Sequence, residues 1–150
     1  MSGGVTINQN DIERKIKSLI PKFEKVKFVH NGRSFEEGID CLGFVILFYR
    51  EFGIEIPNDD GEFIPEDWYK TDPERYISAI KQFSNKQVSI NELQPLDLAY
   101  FAISRNIITH TGIMISQDRF VHMSPKSGFL ISKLERHWKR RFKGAIRVIQ

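Results

Sequence analysis

Cysteine is nearly missing from this chain: Cys41 is the single one among 150 residues. No disulfide can close within the chain, and no cysteine-rich zinc module can be built. Long apolar runs are missing too, since the densest, residues 42–49, is less than half of a membrane span. Charge of one sign is in short supply, with a formal net charge of only +3, far from the loaded surface of a dedicated nucleic-acid binder. Neither a nucleic-acid nor a membrane partner is therefore expected. Residues 1–10 carry no basic start, no apolar stretch and no small-residue cleavage site. The expectation is synthesis in the cytoplasm without a Sec signal, where the Cys41 thiol stays reduced. No internal repeat, low-complexity tract or long linker divides the chain, so residues 1–150 are read as one domain.

What is present is a hydrophobic fraction of 41% that includes 12 Phe, ample aromatic surface for one core. Residues 9–20 read as an amphipathic helix, with Ile12, Ile16, Leu19 and Ile20 on one face, Asn10 or Asp11 as cap and Pro21 as stop. Residues 26–38 contain Asn31-Gly32 and Glu37-Gly38 and read as an irregular loop. A buried helix is expected over 41–52, opened by Asp40 as N-cap and closed at Gly53. Turn signals fill residues 57–67, and Pro73 with Tyr76, Ile77, Ile80 and Phe83 predicts a helix over 72–83. Beyond Leu93 the pattern shortens to strands at 98–103, 109–116, 119–124 and 129–134, then a short helix or turn at 137–141 and a last strand at 145–149. Helices first and an antiparallel meander second make an α+β fold.

Cys41 stands at the expected start of a helix, where unpaired N–H groups and the helix dipole favour a thiolate and could hold an oxyanion. Read alone, it fits a buried small apolar residue as well. A thiolate needs a base, and two of the four histidines, His110 and His122, lie 12 residues apart on strands joined by a tight turn. Placed on one face of adjacent strands, the pair could hydrogen-bond and hold His110 in the tautomer that takes a proton from Cys41.

These residues carry a resemblance. Gly38-Ile39-Asp40-Cys41-Leu42-Gly43-Phe44-Val45 resembles the nucleophile motif of the NlpC/P60 cysteine peptidases, in which Asp-Cys-Ser-Gly-Phe opens the catalytic helix. Leu96-Asp97-Leu98-Ala99-Tyr100-Phe101 is similar to that family's Gly-Asp strand start, and His110-Thr111-Gly112-Ile113 to its His-x-Gly-Ile strand. Phe120-Val121-His122-Met123-Ser124 resembles the strand of the third catalytic residue, and Trp138 through Gly144-Ala145-Ile146-Arg147-Val148 the closing strand. The similarity runs from about residue 26 to 149, leaving the first helix, 9–20, as an N-terminal addition.

The resemblance implies a papain-like core and hydrolysis of bacterial cell-wall peptides, at a γ-D-glutamyl–diamino acid amide, through an acyl-enzyme. Cys41 is similar to the nucleophile, His110 to the general base and His122 to the orienting third member. No metal or organic cofactor is implied. Peptidoglycan stem peptides would be the substrate, and without an export signal the expected delivery is by a phage tail, a secretion device or lysis. Asp40, His30 and Trp68 are the candidates for holding substrate, with core packing as the alternative for Trp68. The chain departs from the family pattern at two places: Leu42 replaces the usual Ser, and Phe28 and Val29 stand where many members carry a Tyr hydroxyl, leaving His30 as a substitute. One lost oxyanion donor costs on the order of a hundredfold in rate. An acyltransferase or amidase of the same fold, and a non-catalytic phage-tail module, remain the competing readings.

The rest has duller expectations. The basic stretch Lys133, Arg136, Lys139, Arg140, Arg141, Lys143 and Arg147 reads as a solvated face, with contact to an anionic wall polymer or nucleic acid as the alternative. Asp59, Asp60, Glu62, Glu66 and Asp67 lack calcium-loop spacing and read as a polar loop. A zinc site from Cys41, His110 and His122 is disfavoured because no close ligand pair anchors it.

Overall fold

A computed structural model describes residues 9–55, 81, 86–104 and 107–148. The turn region 57–67 and Trp68 lie outside the described residues, and of the helix expected over 72–83 only Lys81 is described, as helical. Helix α1 (Gln9–Glu24) is followed by a two-residue hairpin, β1 (Arg33–Ser34) and β2 (Gly38–Ile39), and by helix α2 (Cys41–Arg50). A six-stranded sheet follows, from β3 (Gln87–Val88), β4 (Asp97–Ser104), β5 (Ile107–Met114), β6 (Arg119–Ser124) and β7 (Gly128–Lys133) to β8 (Phe142–Arg147). A one-turn helix, α3 (His137–Arg141), leads into β8. The strand order is β3-β8-β4-β5-β6-β7 and every neighbouring pair is antiparallel. Strands β4 to β7 form the expected meander, and β8 returns along the other side of β4.

Pro21 does not stop the first helix, which runs past residue 20 to Glu24. A proline inside a helix removes one backbone bond and clashes with the preceding turn. The last turn persists because it delivers Phe23, fully buried, into ring contact with Phe35, Phe44, Phe48 and Phe129 at centroid distances of 5.1–6.3 Å. Burying a Phe side chain contributes about 1.5–3 kcal/mol and each aromatic pair about 0.5–1.5 kcal/mol more, which together offset the ~3 kcal/mol or more that an interior proline costs. Ile12, Ile16 and Leu19 join the same apolar cluster as α2, so α1 packs directly on the core.

Helix α2 is apolar all round, with every residue from Leu42 to Tyr49 buried, as a helix set against a sheet must be. Its C-terminus closes as expected at Gly53: φ is +77°, its N–H donates to the Arg50 carbonyl at 3.0 Å, and that of Ile54 donates to the Tyr49 carbonyl at 3.1 Å. This is the paired geometry of a left-handed C-terminal cap. Tyr49 Oη donates to the carbonyl of Leu96 at 2.7 Å, tying α2 to the start of β4.

The sheet has an apolar cluster on each face. Leu98, Tyr100, Ile113, Val121 and Met123 pack on α1 and α2, while Ala99, Phe101, Met114 and Phe120 pack with Leu134, Trp138 and Phe142 on the other side. The period-2 alternation of strands produces this division. At one end of β4, the buried Asp97 accepts from Arg147 Nε and Nη2, both at 2.9 Å, which locks β8 beside it. Among the described residues no helix is long and apolar enough to cross a membrane.

Candidate active site

Asp40 starts α2 as the sequence leads one to expect, with extended backbone and its carboxylate accepting from the Gly43 N–H at 2.7 Å. That carboxylate does more. Oδ1 also accepts from Arg33 Nη1 at 2.7 Å, and Oδ2 from the Asn31 N–H at 3.0 Å. Arg33 Nη1 in turn donates to the Gly32 carbonyl at 2.8 Å. Asp40 therefore fastens the loop around residues 29–33 to the first turn of α2. The fit is close: a Cβ on Gly43 would fall 2.3 Å from the Gly32 carbonyl oxygen, so the crossing requires glycine there. Cys41 is carried by this braced turn. It is half-buried, and its Sγ lies 3.9 Å from the carbonyl oxygen of Thr109, the residue before His110 on β5.

The two histidines meet. The register sets Ile113 of β5 against Val121 of β6, so His110 and His122 occupy diagonal positions on one face, one pleat period apart. His110 Nε2 and His122 Nδ1 are 2.7 Å apart, in hydrogen-bond contact. His122 Nε2 contacts Ser132 Oγ of β7 at 2.8 Å. Both imidazoles are buried, at 7% and 1% exposure. Phe101 and Phe120 flank them, and Trp138 of α3 stacks on His110 at 5.5 Å and 24° while meeting His122 edge-on at 5.0 Å. Burial lowers the pKa of His110 from 6.5 to about 4. Burial, then the neighbouring charge of His110, lowers that of His122 to about 3. Both rings are accordingly neutral at pH 7, one nitrogen donating and the other accepting.

The structure thus brings His110 and His122 together and sets Cys41 beside the strand residue preceding His110. Asp40 adjoins Cys41 with both carboxylate oxygens engaged by protein donors. His30 lies half-buried beside Asn31 in the turn closed by the Gly32 N–H on the Val29 carbonyl, on the loop strapped to Asp40. Phe28 runs parallel to Ile39 and packs against the core, and Val29 is exposed. Leu42 faces the helix–sheet core, buried among apolar side chains. Two contributors escape sequence reading: Ser132, whose only signal is its place on a strand, and Trp138, which the motif comparison groups with the closing strand. Among the described residues no group of three or more His, Cys, Asp or Glu side chains could hold a metal ion.

The sequence model of the NlpC/P60 family matches residues 25–147. The chain is 33% identical over 141 residues to a murein DD-endopeptidase/murein LD-carboxypeptidase of Escherichia coli (strain K12), covering 93% of this chain and 64% of that protein. It is 28% identical over 127 residues to the gamma-DL-glutamyl hydrolase of Bacillus subtilis (strain 168), covering 82% of this chain and 26% of that one. The chain therefore spans less than two thirds of the length of either relative. Among solved structures, an NlpC/P60 family protein of Bacillus cereus superposes with a TM-score of 0.65 at 22% identity, covering 97% of this chain and 42% of that chain. The NlpC/p60 domain of the peptidoglycan hydrolase SagA superposes with a TM-score of 0.57 at 15% identity, covering 93% and 98%. With a match that runs from the residue after α1 to the last residue of β8, and an α+β fold shared with those structures, the chain belongs to the NlpC/P60 family.

Proposed function

We propose that this chain is a cysteine peptidase that hydrolyses peptides of the bacterial cell wall, with Cys41 as nucleophile, His110 as general base and His122 as the residue that orients it. The observation that carries the reading is the contact between His110 Nε2 and His122 Nδ1. It occupies one nitrogen of the proposed base and leaves Nδ1 to exchange protons with the thiol. The Cys41 Sγ beside Thr109 supports it, because a sulfur at the helix start and an imidazole one residue along β5 belong to the same end of the sheet.

In this mechanism Sγ attacks the carbonyl carbon of the scissile amide as the thiol proton passes to His110 Nδ1. The tetrahedral intermediate collapses when His110 returns that proton to the leaving nitrogen, the C–N bond breaks, and a thioester to Cys41 remains. Water, giving its proton to His110, then attacks the thioester and releases the acid, and Sγ recovers its proton. Asp40 acts on this chemistry by bracing the turn that carries Cys41, since its oxygens are already engaged. The bond proposed is the γ-D-glutamyl–diamino acid amide, in keeping with the glutamyl hydrolase relative. The relative named as a DD-endopeptidase makes the cross-link between stem peptides the second reading.

Digestion of purified peptidoglycan with the native chain and with Cys41→Ala tests the proposal. Soluble wall peptides released by the native chain alone are expected, and their masses distinguish a cut at the glutamyl bond from one at the cross-link. Equal product profiles from both proteins would overturn it.

A further inference from the structure

A catalytic imidazole paired with a second imidazole has an ambiguity that a carboxylate partner does not create. Either ring of a neutral His–His pair can be the donor, because each carries one N–H and one lone pair. For His110 to accept a proton at Nδ1, its Nε2 must carry the hydrogen and donate to His122 Nδ1. His122 is then obliged to carry its own hydrogen on Nε2. The opposite polarity puts a hydrogen on His110 Nδ1 and leaves it no lone pair for the thiol.

We infer that Ser132 is a positioning residue that sets this polarity: its Oγ accepts from His122 Nε2–H and so holds His110 in the tautomer that can act as base. Ser132 sits opposite Phe120 and His122 opposite Leu130, which sets Ser132 diagonally from His122 on the same face. His110, His122 and Ser132 thus step across three adjacent strands, with contacts of 2.7 and 2.8 Å. His122 is almost wholly enclosed, so a hydrogen on Nε2 needs a protein acceptor, whereas a bare lone pair there is tolerated more easily. Ser132 is half-buried on β7, an edge strand of the described sheet, so its own hydroxyl hydrogen can turn to solvent while its oxygen receives from the ring. Without that oxygen, His122 gains by moving its hydrogen to Nδ1, and His110 is switched off through the shared hydrogen bond.

The inference rests on His110 being the base, and the experiment separates the two claims. Ser132→Thr keeps the hydroxyl, and Ser132→Val has the same shape without it, with both β-branched side chains suiting a strand. Nitrogen-15 spectra of the neutral imidazoles should show His122 protonated at Nε2 in the native chain and Ser132→Thr, and at Nδ1 in Ser132→Val. On wall peptides, Ser132→Val should lose about ten- to a thousandfold in kcat with KM little changed, by analogy with the ~10⁴-fold loss when a triad histidine is left in the wrong tautomer. Ser132→Thr should stay within a few-fold of native. A native chain with His122 protonated at Nδ1, or a Ser132→Val chain with native kcat, would overturn the role of Ser132. If Cys41→Ala digests walls as the native chain does, the peptidase proposal falls, while the spectra still decide the polarity of the histidine pair.

Discussion

Replacing Trp138 by Ala should raise the pKa of His110. The indole lies 5.5 Å from that ring, nearly parallel to it, and removes one whole face from water. Burial is what holds His110 at about 4 instead of 6.5. That difference corresponds to roughly 3 kcal/mol disfavouring the imidazolium. Phe101 and His122 still cover the ring in the variant, so only part of this is recovered, a rise of about one pH unit. Trp138→Phe keeps a stacked ring and should move it less. Proton NMR titration of the His110 ring measures the shift directly, and the acidic limb of kcat/KM should move upward with it. Folding stability should drop by about 2–3 kcal/mol, below the 3–5 kcal/mol of a fully buried aromatic, because Trp138 is only half-buried. An unchanged or lower His110 pKa in Trp138→Ala would refute the argument that this ring desolvates the base.

Other expectations follow from the same geometry. Asp40→Ala leaves the Gly43 and Asn31 N–H groups and the Arg33 guanidinium without their acceptor, and should cost about 2–4 kcal/mol by urea unfolding; Asp40→Asn, which can still cap α2, should cost less. Phe23→Ala should cost about 3–5 kcal/mol, since the side chain is fully enclosed by four other rings; a loss under 1 kcal/mol would show that α1 is dispensable. Stability should depend on acid through the histidine pair. Their folded pKa values of about 4 and about 3 lie below the unfolded value of 6.5, so the unfolded chain binds more protons in between. The pair's contribution is complete above about pH 6.5, is lost progressively as pH falls from there through the folded values of about 4 and about 3, and changes no further below. Unfolding midpoints measured across that range should fall more steeply for the native chain than for His122→Gln.

The strands were legible because alternation and turn dipeptides are local signals. The strands expected at 98–103 and 119–124 were observed at Asp97–Ser104 and Arg119–Ser124. The start of α2 at Asp40 and its close at Gly53 were legible for the same reason, since caps are written in one or two residues. Pro21 misled because its local penalty is outweighed by the burial of Phe23, a tertiary gain that no window around residue 21 contains. The two-residue strands β1, β2 and β3 are too short to show a period. At the site, the pairing of His110 with His122 could be read from their spacing about a turn. The bracing of Asp40 by Arg33 and Asn31 and the cover of Trp138 over the imidazoles could not, because they join segments that only the folded chain makes neighbours.

The central claim is that Cys41 becomes covalently bound to its substrate. Rapid acid quenching during turnover of a purified wall peptide, followed by digestion and mass spectrometry, tests it most directly. The Cys41-containing fragment should carry the acyl portion of the cleaved peptide as a thioester, and His110→Ala should abolish that adduct. Wall-peptide hydrolysis that proceeds with Cys41 never modified, and continues in Cys41→Ala, would contradict the account.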